Sequence, residues 1–102
     1  MKQMPSPLEN RILGIFDARR DQLSGYKVFL FGSRGRGTAR ANSDYDVGIL
    51  GTEPLDLTIY FEIQDAMEAL PTLHSIDWVD LRRANRALRA NALKEGKLLY
   101  EG

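Results

Sequence analysis

The chain has 102 residues and carries 14 basic and 14 acidic side chains, so its formal net charge is zero. This balance argues against a dedicated nucleic-acid-binding protein, because such proteins are usually basic. The absence of cysteine excludes disulfides and cysteine-based zinc sites, and no apolar stretch approaches the length of a membrane-spanning helix. The length fits one domain over residues 1–102, with residues 1–5 as a tail. We expect a cytoplasmic enzyme or regulator.

The first half of the sequence predicts two helices and two strands. Ser6-Pro7-Leu8-Glu9 provides an N-cap, a first-turn proline and a capping box, so a helix should begin there and end at Gly25. Residues 26–31 are apolar on both faces and predict a central strand. A short helix is expected over residues 33–40, and a second strand over residues 44–50.

The second half predicts two further helices and one strand. Pro54 opens a helix that Pro71 stops, residues 75–81 form the third strand, and a last helix spans residues 82–95 before a short tail. The order α-β-α-β-α-β-α predicts an α/β (α+β) fold. In this fold a small mixed sheet has helices packed on one face and the active face on the other.

A possible phosphate-binding turn precedes a pair of carboxylates. The first apolar strand runs into Gly32-Ser33, and ten residues separate Ser33 from Asp44-x-Asp46. A glycine allows close backbone approach by a phosphate, and a hydroxyl can add a hydrogen bond. Side chains at i and i+2 of a strand share a face, so Asp44 and Asp46 would project together, about 7 Å apart. Such an oxygen-rich pair suits a hard divalent cation.

The pattern of Gly-Ser, ten residues and Asp-x-Asp resembles the signature of the polymerase-beta-like nucleotidyltransferases. The surrounding segment from Gly32 to Arg40, together with Ser43-Asp44-Tyr45-Asp46, is similar to its smallest branch, the minimal nucleotidyltransferases. That branch occurs as the antitoxin of pairs with a HEPN-domain toxin. The resemblance covers nearly the whole chain. The sequence departs from the family at Tyr45, where an aliphatic residue is usual, and at Gly35, where alanine is common.

The resemblance implies Mg2+-dependent transfer of a nucleotide, AMP from ATP, to a hydroxyl acceptor. That acceptor would be a tyrosine of a HEPN-type toxin, and the chain would act as its antitoxin. Asp44 and Asp46 would ligate two Mg2+ ions, with Mn2+ as a substitute, while Gly32 and Ser33 would bind the triphosphate. A homo- or hetero-oligomer could complete the cleft, and no membrane is involved.

A polymerase-like site also needs a third carboxylate on a neighbouring strand. Strand alternation places Asp77 and Val79 on one face and Ile76, Trp78 and Asp80 on the other. The bulky Ile76 and Trp78 should pack under the helices, which leaves Asp77 facing the same side as the carboxylate pair. The resemblance also points to Asp77, as a metal ligand and catalytic residue. Asp80 is interpreted as the N-cap of the last helix.

Several basic residues could either lie on the solvent-exposed surface without a specific role or take part in binding. Arg34 and Arg36 could neutralise phosphate charge or lie in a solvated loop. His74, the only histidine, is interpreted as part of a surface turn. An arginine cluster near the last helix is either a solvated face or a contact for a partner or nucleic acid: Arg82, Arg83, Arg86 and Arg89.

Three alternatives to the protein-modifying enzyme remain. The chain could be a non-catalytic antitoxin that acts by occlusion, a transferase with a small-molecule or RNA acceptor, or an RNA-binding module that uses its Arg-Gly-rich loop. The glycine spacing G-x-x-G-x-G differs from the dinucleotide-binding motif, and no P-loop lysine is present. Nucleotide binding that requires Mg2+ would separate the enzyme from the two non-catalytic alternatives.

Overall fold

Helices and strands follow one another along this computed structural model, which describes residues 7–31 and 45–102. The elements are α1 Pro7–Asp17, a 3-10 turn Arg20–Gln22, β1 Lys27–Phe31, β2 Tyr45–Leu50, α2 Leu57–Glu68, β3 Ile76–Asp80, α3 Arg86–Glu95 and β4 Lys97–Glu101. Within this part of the chain, no helix is long and apolar enough to cross a membrane. The predicted helix over residues 33–40 lies outside the described residues.

The strands form one mixed sheet in the order β3-β2-β1-β4. β1 is antiparallel to both β2 and β4, and β2 is parallel to β3. The central place of β1 confirms the expectation from its two apolar faces, since a strand with neighbours on both sides has no exposed backbone edge. The mixed sheet confirms the predicted fold class.

The core lies between the sheet and the pair α1 and α2. Alternate strand residues enter it: Val28, Leu30, Val47 and Ile49 are fully buried, as are Ile12, Phe16 and Ile63 of the helices. Each such side chain contributes about 1.5–3 kcal/mol through removal of apolar surface from water. Trp78 of β3 packs against Phe16 and Tyr60, with ring centroids 5.5 and 5.4 Å apart. The third helix, α3, contacts β1.

The first helix is shorter than predicted. It ends at Asp17 rather than near Gly25, and a 3-10 turn, Arg20–Gln22, follows it. The guanidinium of Arg19 donates to the Ile15 carbonyl at 3.1 Å, which satisfies one of the acceptors that a helix end leaves open. Gly25 marks the later turn into β1 and adopts φ 85°, a conformation that favours glycine.

Two helices begin later than predicted because better N-caps lie downstream. α2 begins at Leu57, not Pro54, and the carboxylate of Asp56 accepts from the backbone N–H groups of Thr58 and Ile59. α3 begins at Arg86, and the side chain of Asn85 accepts from Leu88 N–H. The prediction that Asp80 caps the last helix is therefore wrong. Short polar residues immediately before the first turn satisfy these orphan donors.

The last strand was missing from the prediction, which ended in a tail. Residues 97–101 pair with β1, from Lys97 opposite Leu30 to Glu101 opposite Lys27, with a register shift between Val28 and Phe29. The segment Lys97-Leu-Leu-Tyr-Glu lacks simple alternation, so its periodicity carries no strand signal. Its partner lies about 70 residues away in the sequence, and a local pattern does not report such a long-range pairing.

Candidate active site

Two of the predicted carboxylates lie side by side on neighbouring strands. β2 and β3 are parallel, and Asp46 is the direct partner of Asp77 in their register. Adjacent strands are about 4.8 Å apart, and residues in register project to the same face. The parallel pairing therefore joins two carboxylates that are 31 residues apart in the sequence.

Strand alternation explains why both carboxylates avoid the core. Tyr45, Val47 and Ile49 of β2 are buried on the helix side, so Asp46 between them projects to the opposite side and is half-buried. In β3, Trp78 packs against the core, and Asp77 is exposed. We call the side of the sheet that carries Asp46 and Asp77 the site face. The predicted face of Asp77 is the one observed.

The end of β1 lies on the other side of Asp46. Phe31, the last residue of β1, is the antiparallel partner of Asp46. A row across the sheet thus reads Phe31, Asp46, Asp77. The other predicted site residues belong to the segment that follows Phe31 and lie outside the described residues: Gly32, Ser33, Arg34, Arg36 and Asp44.

Apolar groups cover the site face next to the carboxylates. A Cβ added at Gly48 would lie 3.0 Å from the Leu81 side chain and 3.1 Å from that of Phe31. Gly48 is therefore a point of close approach, where a larger residue would displace Leu81. Since Leu81 is fully buried, it shields the strand next to Asp46 from water. A low-dielectric wall of this kind strengthens the attraction between the carboxylates and a cation.

The donor set of the pair fits a hard divalent cation. Two adjacent carboxylates offer up to four oxygens, the ligand type that Mg2+ prefers. Residues 7–31 and 45–102 contain no group of three His, Cys, Asp or Glu side chains placed to hold a metal ion. The third predicted ligand, Asp44, falls outside those ranges, so the structure brings together only Asp46 and Asp77 of the predicted three.

Asp80 sits at the end of the same strand in a different environment. It is only 3% exposed. One carboxylate oxygen accepts from Leu55 N–H at 2.7 Å and lies 3.3 Å from Nε of Arg83, and the other accepts from Arg82 N–H at 3.0 Å. Asp80 thus joins the loop before α2 to the turn after β3. Sequence analysis correctly gave it a structural role but assigned the wrong partner.

The arginine cluster also serves the loops around β3. Arg82 Nε donates to the Gly51 carbonyl at 2.6 Å, and Arg83 donates to the Leu55 carbonyl at 2.9 Å. Arg89 Nε donates to the Leu81 carbonyl at 2.9 Å. These arginines satisfy backbone acceptors that the turn leaves without helical partners. The predicted start of the last helix at residue 82 is wrong, because both Arg82 and Arg83 precede α3.

An open cleft adjoins Asp77 at the edge of the sheet. Its volume is about 470 Å³, and it lies between the C-terminal half of α2 and the start of β3. Its walls are Gln64, Met67, Glu68, Leu70, Thr72, His74, Ser75, Ile76, Asp77 and Trp78. The sequence did not reveal this cleft, because its walls come together only when α2 packs beside β3.

His74 stands at the entrance to β3, where two strands meet. Its ring lies edge-on to that of Tyr45, with centroids 5.3 Å apart, and Tyr45 N–H donates to the Ser75 carbonyl at 2.9 Å. His74 is half-buried and lines the cleft, so it is more than the surface turn residue we expected. The bulk of Tyr45, unusual for the family signature, is accommodated by this contact.

Tyr60 and Trp78 bind α2 to β3 through reciprocal hydrogen bonds. The Tyr60 hydroxyl donates to the Trp78 carbonyl at 2.9 Å, and the Trp78 indole N–H donates to the Tyr60 carbonyl at 3.1 Å. Burial raises the pKa of the Tyr60 hydroxyl above its usual value, and the charge of Asp80 raises it further. These two hydrogen bonds hold β3, the strand that carries Asp77, against α2.

Comparison with known families gives one match over most of the chain. The model described as polymerase beta, nucleotidyltransferase, matches residues 20–102. This range includes Asp46, Asp77 and the strands β1 to β4 that the described residues form. The signature found in the sequence and the pairing found in the structure thus fall within one matched segment.

Individual relatives agree with the family match. The chain is 34% identical over 94 residues to a Shewanella oneidensis protein named protein adenylyltransferase MntA; the match covers 90% of this chain and 64% of that protein. A structure described as a toxin–antitoxin with AMP-PNP is 33% identical, with a TM-score of 0.66, and covers 92% of this chain and 73% of its own. A tri-AMPylated Shewanella oneidensis HEPN toxin in complex with an MNT antitoxin is matched at 29% identity and a TM-score of 0.62, covering 93% and 71%.

Proposed function

The chain belongs to the polymerase beta nucleotidyltransferase family, and from this premise we propose that it transfers AMP from ATP to a hydroxyl of a partner protein. The observation that carries the proposal is the Asp46–Asp77 pair, in register on the site face, where Asp46 is half-buried and Asp77 is exposed. A scaffold without catalysis has no need for two adjacent carboxylates there, because like charges on neighbouring strands destabilise the sheet.

The proposed reaction is a displacement at the α-phosphorus of ATP. The acceptor oxygen forms the new bond to phosphorus, the bond to the bridging oxygen breaks, and pyrophosphate leaves. Asp77 is the more exposed of the pair. In this proposal it accepts the hydroxyl proton as the oxygen attacks. Asp46 lies beside it on β2, the strand that also pairs with β1.

Enzymes of this family generally use divalent metal ions. We propose two Mg2+ ions, replaceable by Mn2+, held by Asp44, Asp46 and Asp77. When bound, such ions would neutralise the triphosphate charge and make the acceptor hydroxyl easier to deprotonate. Gly32 and Ser33 would bind the phosphates, and Arg34 and Arg36 would add positive charge near them.

The proposed acceptor is a tyrosine of a HEPN-type toxin, with the chain acting as its antitoxin in the cytoplasm. Support comes from the relatives, which include a protein adenylyltransferase and an antitoxin in complex with an AMPylated HEPN toxin. The chain spans 64% of the length of the curated relative, so the activity of the whole relative is extended to this chain only as a proposal. AMP would add a negative charge and bulk to the toxin, enough to obstruct a site that must accommodate RNA phosphates.

The test is intact-mass spectrometry of the HEPN-type partner after incubation with the chain, ATP and Mg2+. The proposal predicts one or more added AMP groups, none of which appears with EDTA or with Asp46→Asn. Labelling of a free nucleotide or an RNA end, with an unmodified partner, would be consistent with nucleotide transfer but would contradict the proposal that the acceptor is a protein. Inhibition of the toxin without any transfer would instead support an antitoxin that acts by occlusion.

A further inference from the structure

We propose that two copies of this chain associate through the solvent-facing side of α2, about a twofold axis between Leu57 and Phe61. We call these two residues and the hollow beside Leu57 the α2 patch. The patch lies away from the site face, because the inner side of α2 packs into the core on the opposite side of the sheet. The association does not depend on the proposed AMP transfer, so either can fail without the other.

Leu57 and Phe61 form an exposed apolar surface on α2. They are 50% and 53% exposed, and their spacing of four residues places them on the same side of the helix. The Phe61 ring lies edge-on to the Tyr60 ring, with centroids 5.2 Å apart, and Tyr60 is held by its hydrogen bonds with Trp78. An aromatic side chain supported in this way loses little conformational entropy on binding and is typical of interface hot spots.

The hollow beside Leu57 fits the Phe61 ring of a second copy. Its volume is about 150 Å³, and a cavity of about this size can hold benzene. Its walls are Leu57, Tyr60, Val79, Asp80, Arg83 and Ala84. The Asp80 carboxylate is buried and already accepts hydrogen bonds, so it presents no open charge to an incoming ring. A twofold axis between Leu57 and Phe61 places the Phe61 ring of each copy against Leu57 and the hollow of the other.

Opposite charges flank the α2 patch at its two ends. Glu68 follows Phe61 by seven residues on the same side of α2, and the helix Leu57–Glu68 contains no lysine or arginine. In the other direction, Arg83 lines the hollow and Arg86 begins α3. A twofold axis turns one copy end for end, so Glu68 of each copy faces Arg86 of the other. The same surface is thus complementary to itself in both shape and charge.

The second copy is the occupant that these charges favour. A nucleic acid or an anionic lipid surface would place phosphates against the carboxylates of α2, which is unfavourable. A formal net charge of zero leaves no overall repulsion between two copies as they approach. Both ends of the α2 patch therefore find a partner of opposite charge in a second copy.

The experiment measures self-association of the purified chain by sedimentation equilibrium. We expect a dimer with a dissociation constant on the order of 10 μM, as for a small interface. Phe61→Ser should weaken the dimer at least tenfold. Leu93→Ser, which changes a leucine of similar exposure (48%) on α3, should stay within about twofold of the unchanged protein. Circular dichroism and the melting temperature check that each variant is folded.

A pair of charge reversals tests the predicted orientation of the two copies. Glu68→Arg and Arg86→Glu should each weaken the homodimer about tenfold, because each places like charges together twice. An equimolar mixture of the two variants should associate as a heterodimer about as strongly as the unchanged protein. Arg86 is chosen rather than Arg83, since Arg83 is the ion-pair partner of the buried Asp80.

Three results would overturn the dimer. The unchanged protein could remain monomeric up to about 1 mM, or Phe61→Ser could associate as strongly as the unchanged protein. The mixture of charge-reversed variants could fail to associate. Weaker binding of the HEPN-type partner by Phe61→Ser, with self-association unchanged, would assign the α2 patch to that partner instead.

Discussion

The two ends of β3 each carry an aspartate, and the fold gives them opposite tasks. Asp77, near the start of the strand, is exposed on the site face beside Asp46. Asp80, at its end, is buried and accepts hydrogen bonds from Leu55 and Arg82. They are three positions apart in the sequence, so strand alternation places them on opposite faces. The difference shows that local partners, not residue type, decide whether a carboxylate can meet substrate.

The two aspartates also differ in how much stability the fold should lose when the side chain is changed. A change at Asp77 removes a group that faces solvent, so folding has little to lose there. Loss of the Asp80 carboxylate leaves the buried Leu55 N–H and the partly buried Arg82 N–H without this acceptor, which is costly for folding. Substitutions can therefore separate the effects on catalysis from those on stability. The expected effects are given below in order of decreasing size.

Asp77→Asn should lower kcat for AMP transfer by about a hundredfold or more, because the amide neither accepts a proton nor balances a cation. Its melting temperature should stay within about 2 °C, since the side chain is exposed. AMP incorporation into the HEPN-type partner measures the first quantity and calorimetry the second. Asp65→Asn, an exposed change on α2, is the control. Retained turnover would remove the distinction between the two ends of β3.

Asp80→Ala should lower the free energy of unfolding by about 2–4 kcal/mol, because it removes one buried and one partly buried hydrogen bond and the partner of Arg83. The Arg83 side chain is 46% exposed, so water solvates part of the charge left behind. Urea unfolding followed by circular dichroism gives the value. A loss below about 1 kcal/mol would indicate that Asp80 acts only as an exposed cap.

Tyr60→Phe should cost about 1 kcal/mol at neutral pH through the lost hydrogen bond to the Trp78 carbonyl. The raised pKa of the Tyr60 hydroxyl in the unchanged protein also predicts that its contribution to stability depends on pH. The folded protein retains the phenol proton at a pH where the unfolded chain has lost it. This contribution is complete below about pH 10 and disappears as pH rises through the folded pKa.

Unfolding of the unchanged protein and of Tyr60→Phe, compared between pH 8 and pH 11, tests this. The variant should lose less stability over that interval. Tyr26, whose pKa is also raised by burial, remains in both proteins and supplies a common background. An identical pH dependence would show that the Tyr60 hydroxyl is not protected by the fold.

The smallest effect is expected far from β3, at the other edge of the sheet. Lys27 and Glu101 lie 3.5 Å apart with side chains 55% and 57% exposed. Lys27→Met should change the free energy of unfolding by less than about 0.5 kcal/mol, because exposed ion pairs contribute little. The same urea assay applies. A loss as large as that of Asp80→Ala would mean that burial does not separate the two kinds of carboxylate.

The sequence predicted those features that depend on local pattern. The apolar run of β1 indicated a central strand, and the bulk of Trp78 assigned the faces of β3 and so the side of Asp77. The register that places Asp77 beside Asp46 required a partner strand, and the sequence specified only that one should exist. The roles of Gly32, Ser33 and Asp44 stay predictions.

Features that depend on distant contacts escaped prediction. β4 pairs with the edge of β1, and the pattern of residues 97–101 alone does not indicate this pairing. Asp80 was assigned to the nearest helix, since its real partner, Leu55 N–H, lies 25 residues upstream. The cleft beside Asp77 lies between α2 and β3, two elements that the Tyr60–Trp78 hydrogen bonds join. Each case depends on tertiary contacts that override a local signal.

The most direct test of the central claim is calorimetric titration of a non-hydrolysable ATP analogue, with Mg2+ and with EDTA. It is applied to the unchanged protein, Asp77→Asn and Asp80→Asn. We predict that Mg2+ raises the affinity at least tenfold in the unchanged protein and in folded Asp80→Asn, and far less in Asp77→Asn. Equal affinity with Mg2+ and with EDTA in the unchanged protein would contradict the account. So would loss of the Mg2+ effect in Asp80→Asn together with its retention in Asp77→Asn.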